Sequence, residues 1–348
     1  MRIVEYQPEN FNCLRAAAAS VDNSGLQHRA FVNHYYASSP FCRLYLAIGS
    51  GSAIVGILGV ETMPFQHEGR ERRLGFGSNF HALKPGAGGL LLLQWLRSCE
   101  FGLAFGGSES SLRIFRSQNW VEYPGMRLWY LNRPFTTWKG EPSWKVLAKK
   151  AAGWKLRRPI KEYARNLPSC ARDVSVEEER EYSDDLLPSR SPFSFRFAPS
   201  RKHLEWRYAL GLSFVRYRLF RILRGGRTEG YVVLNDQPRQ ILVSQCDGSD
   251  AEVLACGILH AVLKLGSEGD PSRTVLLTSS HPRMERLFHE FGFRNDGSRD
   301  FLIGGLRKTS PDIGTETSNW LVNFDLGDNG LRSPFLDESV NNQSVAAV

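Results

Sequence analysis

The sequence predicts a mixed α/β protein that contains two tandem copies of one domain. Strand-like runs rich in β-branched residues alternate with runs that have the apolar spacing of helices. The chain of 348 residues is long enough for two domains of ordinary size. Three local patterns recur 172 to 174 residues apart, and they pair Tyr35–Tyr36 with Arg207–Tyr208, Gly56 with Gly230, and Phe115 with Phe288.

This repeat defines the expected domain boundaries. The first copy is predicted at residues 1–135 and the second copy at residues 172–331, with a basic linker helix at 136–171 between them. The polar segment 332–348 has little to bury, so we expect a disordered tail.

In the first copy, the apolar pattern predicts helices and strands in alternation. His67-Glu68-Gly69 supplies a hairpin turn between two β-branched runs, a glycine-rich loop precedes a largely buried helix, and Ser108 is placed to cap the helix that follows. The predicted elements are, in order, helices 8–21 and 26–37, strands 44–48, 53–63 and 72–81, helix 90–99, strand 101–105, helix 108–117 and strand 120–131.

The second copy repeats this order, and Asp250 stands near the start of its longest helix. The predicted elements are helix 203–209, strands 217–224, 230–234 and 241–246, helix 250–265, strand 274–278 and helix 282–291.

The formal net charge of +8 is the remainder of alternating blocks. The net charge is +7 from Lys139 to Arg165, −6 from Asp173 to Asp185, +9 from Arg190 to Arg227 and −5 from Pro311 to the end. Because acidic blocks interrupt the basic ones and no known nucleic-acid-binding module is present, the composition argues against a nucleic-acid partner.

Cysteine spacing and hydropathy indicate a soluble, cytoplasmic protein. The six cysteines include no C-x-x-C pair and no zinc-ligand pattern, so we expect free thiols and no metal site. The N-terminal segment lacks a signal-peptide apolar region. The strongest apolar run, 89–96, is far shorter than the roughly 20 residues of a membrane helix.

Two basic segments each allow two interpretations. The linker at 144–158 is either an amphipathic helix on an anionic membrane surface or an interdomain helix whose Trp side chains pack on both copies. The block at 190–227 either points its Arg side chains outward from strands or binds an acidic glycan or a nucleotide-linked sugar.

The loop Lys84-Pro85-Gly86-Ala87-Gly88-Gly89-Leu90 is the candidate phosphate site. It follows a strand and opens a helix, where backbone N–H groups and the helix dipole favour an anion. It is not a P-loop or a G-x-G-x-x-G motif, because both the G-K-[ST] element and the glycine spacing are missing. The alternative is a plain tight turn between strand and helix.

These residues resemble the GNAT superfamily of CoA-dependent N-acyltransferases. The resemblance rests on Ile54-Val55-Gly56-Ile57-Leu58-Gly59, the P-G-A-G-G-L loop, S-L-R-I-F-R-S-Q-N-W at 111–120, and Leu287-Phe288 followed by Gly292-Phe293. Trp206-Arg207-Tyr208 is similar to an element of GNAT-like proteins encoded with polysaccharide-synthesis enzymes. Tandem GNAT folds also occur in Fem-type aminoacyltransferases.

The resemblance implies an acyl-CoA site in the first copy. The backbone amides of Gly86, Ala87, Gly88, Gly89 and Leu90 would face the pyrophosphate, with Lys84 beside them and Phe80 at the end of the preceding strand. The corresponding stretch of the second copy, 246–250, carries two carboxylates that would repel phosphate. We therefore expect the second copy to shape the substrate groove.

The resemblance also raises the question of the catalytic groups. Phe115 and Phe288 occupy the positions where many GNAT enzymes have the Tyr that protonates the thiolate, so Tyr123, Cys99 and Ser108 are the candidate proton donors. The candidate general bases are His81 and Glu109, with Asn79 beside them. Each also has a structural interpretation: local hydrogen bonding for His81 and Asn79, and the helix dipole for Glu109.

The favoured function is acyl transfer from acyl-CoA to an amine on a small molecule, a sugar or a cell-envelope precursor. One alternative is a catalytically inactive GNAT-fold binding protein. The other is a Fem-type transferase that uses aminoacyl-tRNA, for which the basic surface would matter.

Overall fold

The computed structural model describes residues 1–105, 109–133, 143–145, 147–148, 157–268, 270–305, 312–314 and 316–323. Part of the linker helix predicted at 136–171, the cap residue Ser108 and the predicted tail at 332–348 lie outside these residues. From residue 157 to residue 171 the linker forms two short 3₁₀ helices, Ile160–Asn166 and Ser169–Ala171, and the prediction of one continuous helix is wrong there. In the described part of the chain, no helix combines the length and the apolarity that crossing a membrane would require.

The first copy contains six strands and five α-helices among the described residues. They are β1 (Arg2–Glu5), α1 (Phe11–Ala19), α2 (Ser24–Gln27), α3 (Arg29–Val32), β2 (Cys42–Ile48), β3 (Ile54–His67), β4 (Arg70–Ala82), α4 (Ala87–Ser98), β5 (Phe101–Phe105), α5 (Glu109–Ser117) and β6 (Val121–Leu131).

The second copy repeats the pattern and adds two short strands. Its elements are β7 (Val174–Glu179), β8 (Phe195–Phe197), α6 (Arg201–Arg207), β9 (Tyr217–Arg224), β10 (Arg227–Asp236), β11 (Gln240–Gly248), α7 (Ala251–Gly266), β12 (Thr274–Ser279), α8 (Pro282–Phe291), β13 (Arg294–Gly304) and β14 (Trp320–Leu321).

One continuous sheet joins both copies. Its strand order is β1-β2-β3-β4-β5-β13-β6-β12-β11-β10-β9-β7, so the two halves mirror each other about its centre. The last strand of each copy crosses over: β13 pairs with β5 of the first copy, and β6 pairs with β12 of the second. The mixed α/β fold and the duplication are confirmed, and the exchange of last strands fixes the copies to one another.

Helices cover the first copy's part of the sheet on both faces. On one face, α4 and α5 pack their Trp95 and Phe115 side chains against strand residues such as Val60. On the other face, α1 to α3 lie between the copies, because Phe31 of α3 shares a core with Tyr208 of the second copy. The first copy's helices therefore form part of the contact with the second.

Most predicted elements are found within a few residues of their expected ends, but the helix predicted at 26–37 is wrong as a single helix. It is divided into α2, α3 and a π-helical turn at Asn33–Ala37. His28 adopts an extended conformation between α2 and α3, and its Nδ1 accepts a hydrogen bond from the N–H of Phe31 at 3.4 Å. A side chain that caps a new helix ends the preceding one.

The acidic and basic blocks of the second copy are partners of each other. Strand β7 pairs antiparallel with β9, and this register places the acidic block beside the basic one. Arg221 Nε lies 2.5 Å from Glu179 Oε1, and Arg224 Nε lies 2.8 Å from Asp173 Oδ2. Arg224 points outward as expected, but a carboxylate of the same chain already pairs with it. Arg196 and Arg207 of the same basic block are buried, so the outward orientation expected for this block is wrong for them.

Candidate functional site

The opening in the first copy lies where β4 and β5 separate. Their parallel pairing covers only Leu74–Phe76 and Phe101–Leu103, although β4 continues to Ala82. The ladder between β3 and β4 shifts register at this level, because Asn79 and Phe80 together face a single residue of β3. Such a bulge bends a strand, and here it leaves the last part of β4 without β5 beside it.

Backbone conformation marks the centre of the bulge. Asn79 has φ of +51°, in the left-handed region, which asparagine tolerates better than most residues. A strand residue in this conformation breaks the ladder locally.

The loop at residues 84–90 starts α4 directly beyond this opening. Gly86 precedes the helix with φ of +85°, a conformation that favours glycine. The N–H of Ala87 donates to the carbonyl of Lys84 at 3.2 Å, and the N–H of Leu90 donates to the carbonyl of Gly86 at 3.3 Å. The five predicted amides are thus not equivalent, because the turn itself uses two of them.

Three amides remain, and besides that of Gly86 they are the amides of Gly88 and Gly89 in the first turn of α4. Within the described residues, neither N–H has a hydrogen-bond acceptor, and no side chain caps the helix. A Cβ atom on Gly89 would meet nothing within 4 Å, so solvent reaches the backbone there. Lys84 is exposed beside the turn, and Phe80 packs edge-on against Trp95 with ring centroids 6.4 Å apart. This helix end can bind an anion.

The position of α4 depends on two glycines in β4. Trp95 donates from Nε1 to the carbonyl of Gly75 at 2.6 Å, and a Cβ on Gly77 would lie 2.4 Å from the Trp95 ring. Side chains at these positions would push the helix away from the strand. The glycines therefore let the second half of α4 pack closely on the middle of β4.

A buried polar network supports the bulge from the opposite face. Asn79 donates from Nδ2 to the hydroxyl of Tyr36 at 2.7 Å, and it accepts from Nδ2 of Asn23 at 2.8 Å. The same Asn23 amide lies 3.1 Å from Nε2 of His81, and its Oδ1 caps α2 by accepting from the N–H of Leu26. Two predicted site residues, Asn79 and His81, are thus brought together.

The other predicted catalytic residues are spread over different environments. Glu109 is exposed at the start of α5. Tyr123 is buried beside Trp320 and donates its hydroxyl to the carbonyl of Ile313 at 3.3 Å, and burial raises its pKa to about 12. The Cys99 thiol packs under α4, where burial likewise raises its pKa to about 12. The Tyr123 hydroxyl and the Cys99 thiol therefore hold their protons at neutral pH.

In the second copy, the carboxylate of Asp250 occupies the corresponding turn between strand and helix. Asp250 accepts hydrogen bonds from the N–H groups of Glu252 and Val253 at 2.8 and 2.9 Å, and so caps α7. The predicted position of Asp250 at the start of this helix is confirmed, and the structure adds that its side chain is the cap. A carboxylate bound to the first free amides of a helix leaves no place for an external anion.

The gap between β11 and β12 in the second copy is filled by a later segment of the chain. Asn323 donates to Gln245 Oε1 at 2.9 Å and accepts from the thiol of Cys246 at 3.0 Å, while Thr278 donates to the carbonyl of Val322 at 2.9 Å. Segment 316–323 therefore occupies the place that corresponds to the opening of the first copy.

A buried ion pair completes this closure. Asp247 of β11 forms a salt bridge with Arg196 of β8, and both side chains are almost fully buried. Arg196 also donates to Gln66 Oε1 of β3 at 2.8 Å, so the pair links the copies. The carboxylate that was expected to repel phosphate is neutralised inside the protein.

Sequence reasoning did not identify Asn23 and Tyr36 as parts of the site. Asn23 precedes a predicted helix as an N-cap residue would, and Tyr36 belongs to a repeated pattern, but neither feature indicates contact with a strand more than 40 residues away. Among the described residues, no group of three His, Cys, Asp or Glu side chains is placed to hold a metal ion.

Comparison of the sequence with protein-family models and with curated proteins gives no match. Solved structures do match the fold. A GCN5-related N-acetyltransferase from Anabaena variabilis superposes with a TM-score of 0.57 at 10% identity, over 87% of this chain and 72% of that one. A probable N-acyltransferase from Enterococcus faecalis gives 0.51 at 9% identity, over 88% and 72%.

A third match has the same duplicated layout. The tandem GNAT protein from the clavulanic acid biosynthesis pathway superposes with a TM-score of 0.51 at 11% identity, over 87% of this chain and 97% of that protein. At such identities the likeness establishes the fold. The chain is thus an α/β protein with two GNAT-like domains in tandem.

Proposed function

We propose that the protein transfers an acyl group from acyl-CoA to an amine, and that the first copy holds the CoA. The observation that carries the proposal is the pair of unpartnered N–H groups of Gly88 and Gly89 at the start of α4, directly beyond the opening between β4 and β5. Solved structures of the same fold are described as N-acetyltransferases, and the tandem GNAT protein is described in a form without AcCoA.

In this proposal the loop binds the pyrophosphate. The amides of Gly88 and Gly89 donate to phosphate oxygens, the dipole of α4 adds a partial positive charge, and exposed Lys84 adds a full one. Phe80 lies beside the pantetheine arm, which follows the unpaired part of β4 into the opening. The thioester then lies close to Asn79.

The polar network assigns His81 and Asn79 positioning roles. If Asn23 donates to His81 Nε2, the lone pair that a general base needs is already engaged. We therefore propose that His81 and Asn79 hold the bulge in shape for the thioester. Glu109 remains a candidate base, and Tyr123 is unsuited to protonate the thiolate because its hydroxyl is bound to Ile313 inside the core.

The acceptor in this proposal is an amine on a small molecule, a sugar or a cell-envelope precursor. For a cell-envelope acceptor, the protein would be cytoplasmic and would touch an anionic membrane surface through the exposed Trp144 side chain. A Fem-type reaction with aminoacyl-tRNA loses support, because Arg side chains of the second copy pair with Asp173 and Glu179.

A catalytically inactive CoA-binding protein is the second candidate function. Phe115 is buried and stacks on Trp120 with ring centroids 4.5 Å apart, and it has no hydroxyl to protonate a thiolate. This candidate predicts CoA binding without turnover of any amine.

Isothermal titration calorimetry with acetyl-CoA tests the proposal. Gly89→Glu places a carboxylate at the open amide without a steric clash, and should weaken binding about tenfold or more. Gly211→Glu is the matched control, since a Cβ there also meets nothing within 4 Å. The proposal fails if the unmodified protein binds no acetyl-CoA or if the two variants bind it equally well.

A further inference from the structure

Two cysteine thiols lie in direct contact where the linker meets the second copy. Cys170 belongs to the 3₁₀ helix Ser169–Ala171 at the end of the linker, and Cys256 lies in the second turn of α7. Their Sγ atoms are 3.3 Å apart, and both side chains are free thiols. Because this distance is shorter than twice the radius of a sulfur atom, no other atom lies between them.

Contacts beside the pair hold the two segments against each other. His260 lies one turn beyond Cys256 on α7. Its Nε2 is 2.9 Å from the carbonyl oxygen of Ala171, the residue that follows Cys170. Ala171 and Cys256 are buried in the same hydrophobic core, and the Cys170 side chain packs against that core. The thiol contact therefore belongs to a packed junction between the linker and α7.

The two thiols differ in exposure. Cys256 is completely buried, whereas Cys170 is half-buried. Burial raises the pKa of the Cys256 thiol, and its hydrogen bond with Cys170 and the nearby carboxylates of Glu252 and Asp173 raise that pKa further. Cys256 therefore remains a protonated thiol at neutral pH. Cys170 is the sulfur atom of the pair that a small reagent in solvent reaches first.

Two other thiols are held by oxygen atoms instead. Cys99 donates to the carbonyl of Trp95 at 3.3 Å, and Cys246 donates to Oδ1 of Asn323 at 3.0 Å. A contact between a thiol and an oxygen atom offers no second sulfur for an S–S bond. Cys99 and Cys246 are therefore internal references that should not form a disulfide.

We propose that a peroxide oxidises the pair to a disulfide between Cys170 and Cys256, a modification that is independent of the proposed acyl transfer. The Cys170 thiolate attacks one oxygen of hydrogen peroxide, so an S–O bond forms, the O–O bond breaks and the released hydroxide takes a proton from solvent. The sulfur of Cys256 then attacks the oxidised sulfur, and the S–S bond forms as the S–O bond breaks. The departing hydroxide takes the proton of the Cys256 thiol. In total, both thiols are oxidised to one disulfide, and the peroxide is reduced to water.

This bond requires little movement of the folded chain. An S–S bond is about 2.05 Å long, so the two sulfur atoms must approach by about 1.2 Å. The disulfide would join the end of the linker to α7 and close a loop that contains β7 to β11. Because the two cysteines are 86 positions apart in the sequence, the bond restricts the unfolded chain much more than the folded one. It should therefore stabilise the second copy.

The experiment uses the full chain in which Cys13→Ser removes an exposed thiol that would cross-link separate molecules. After treatment with a small excess of hydrogen peroxide, mass spectrometry should show a loss of about 2 Da, and a non-reduced digest should contain the Cys170 and Cys256 peptides joined. The thermal midpoint should rise by about 5 °C or more and return with dithiothreitol. Cys170→Ser in the same background is the matched control and should show neither change.

Each outcome supports or overturns the inference. The joined peptides with a raised and reversible midpoint support it. Oxygen atoms gained by Cys170 without the joined peptides overturn it, because they would show that Cys256 does not reach the oxidised sulfur. An unreacted pair also overturns it, as does an equal midpoint rise in the Cys170→Ser variant. The reversal by dithiothreitol is measured with both cysteines present, so it does not depend on whether Cys170→Ser folds.

Discussion

The two copies differ most at the turn between the bulged strand and the helix that follows it. In the first copy, Gly88 and Gly89 present free amides to solvent. In the second copy, Asp250 binds the corresponding amides of α7, and segment 316–323 fills the gap beside the bulge. The same turn between strand and helix therefore has free amides in the first copy and capped amides in the second.

The difference shows how a duplicated fold can divide its work. An open helix end and an unpaired strand edge have a cost in stability unless a ligand satisfies them. The second copy meets these needs internally and gains a continuous core. It contributes to the first copy through β13, Arg196 and His203, whose Nε2 lies 3.0 Å from Oε1 of Glu61.

Removing the cation that closes the second copy should have the largest effect. Arg196→Met leaves Asp247 buried without its partner, and we expect the free energy of unfolding to fall by about 3–5 kcal/mol. Urea denaturation followed by circular dichroism measures this. The double variant with Asp247→Asn removes the isolated charge and should recover most of the loss. Equal losses in the single and double variants would contradict the role given to the ion pair.

Replacing Glu61, the buried carboxylate of the first copy, should lower the free energy of unfolding by a smaller amount that depends on pH. Glu61→Gln keeps a hydrogen-bonding side chain at His203 but removes the buried carboxylate that lies 3.6 Å from Nε of Arg207, so we expect a loss of about 3 kcal/mol at neutral pH. Burial alone would raise the pKa of Glu61, but the Arg207 guanidinium and the hydrogen bond from His203 hold the folded-state pKa below its ordinary value of 4.5. The stabilisation is therefore complete above pH 4.5 and is lost as the pH falls through the folded-state pKa.

Urea denaturation at a series of pH values checks this dependence. The gap between the parent and Glu61→Gln should narrow below pH 4.5. Glu5→Gln is the control, because Glu5 forms an exposed pair with Arg43 and should change stability by less than about 1 kcal/mol at any pH. A constant gap from neutral to acid pH would show that Glu61 is not ionised in the folded protein.

Local patterns in the sequence were sufficient to predict the positions of most helices and strands that this comparison uses. β9 at Tyr217–Arg224 and α8 at Pro282–Phe291 have the predicted ends, because their apolar spacing and the proline at the helix start are local signals. Asp250 was placed near the start of its helix for the same reason. The glycine loop was also visible locally, since glycines between a strand and an apolar run are a turn signal.

Local patterns could not predict which strands pair when the strands are far apart in the sequence. The exchange of β6 and β13 joins segments more than 140 residues apart, and no short window contains both. Strand β7 has the sequence VSVEEE, which resembles an exposed charged segment until the Arg side chains of β9 are placed beside it. The site residues Asn23 and Tyr36 were missed for the same physical reason: their partners are distant in sequence.

The cap of the second copy should contribute a moderate amount. Asp250→Ala removes the acceptor of two helix amides, and we expect a loss of about 1 kcal/mol in unfolding free energy. Acetyl-CoA binding should not change, because the proposed site is in the first copy. Asp184→Ala, whose side chain is 80% exposed, is the control and should stay within about 0.5 kcal/mol of the parent. A change in acetyl-CoA affinity would contradict the proposal, because it would show that the anion site lies in the second copy.

Two glycines of the open loop should give the smallest effects, with opposite signs. Gly89 lies in the first turn of α4 with free space around it, so Gly89→Ala should stabilise the protein by about 0.5–1 kcal/mol through higher helix propensity. Gly86 has φ of +85°, so Gly86→Ala should destabilise it by about 1 kcal/mol. Denaturation midpoints of the two variants measure this. If both variants lost stability equally, α4 would not begin between these residues, and the free amides assigned to the first copy would have to lie elsewhere.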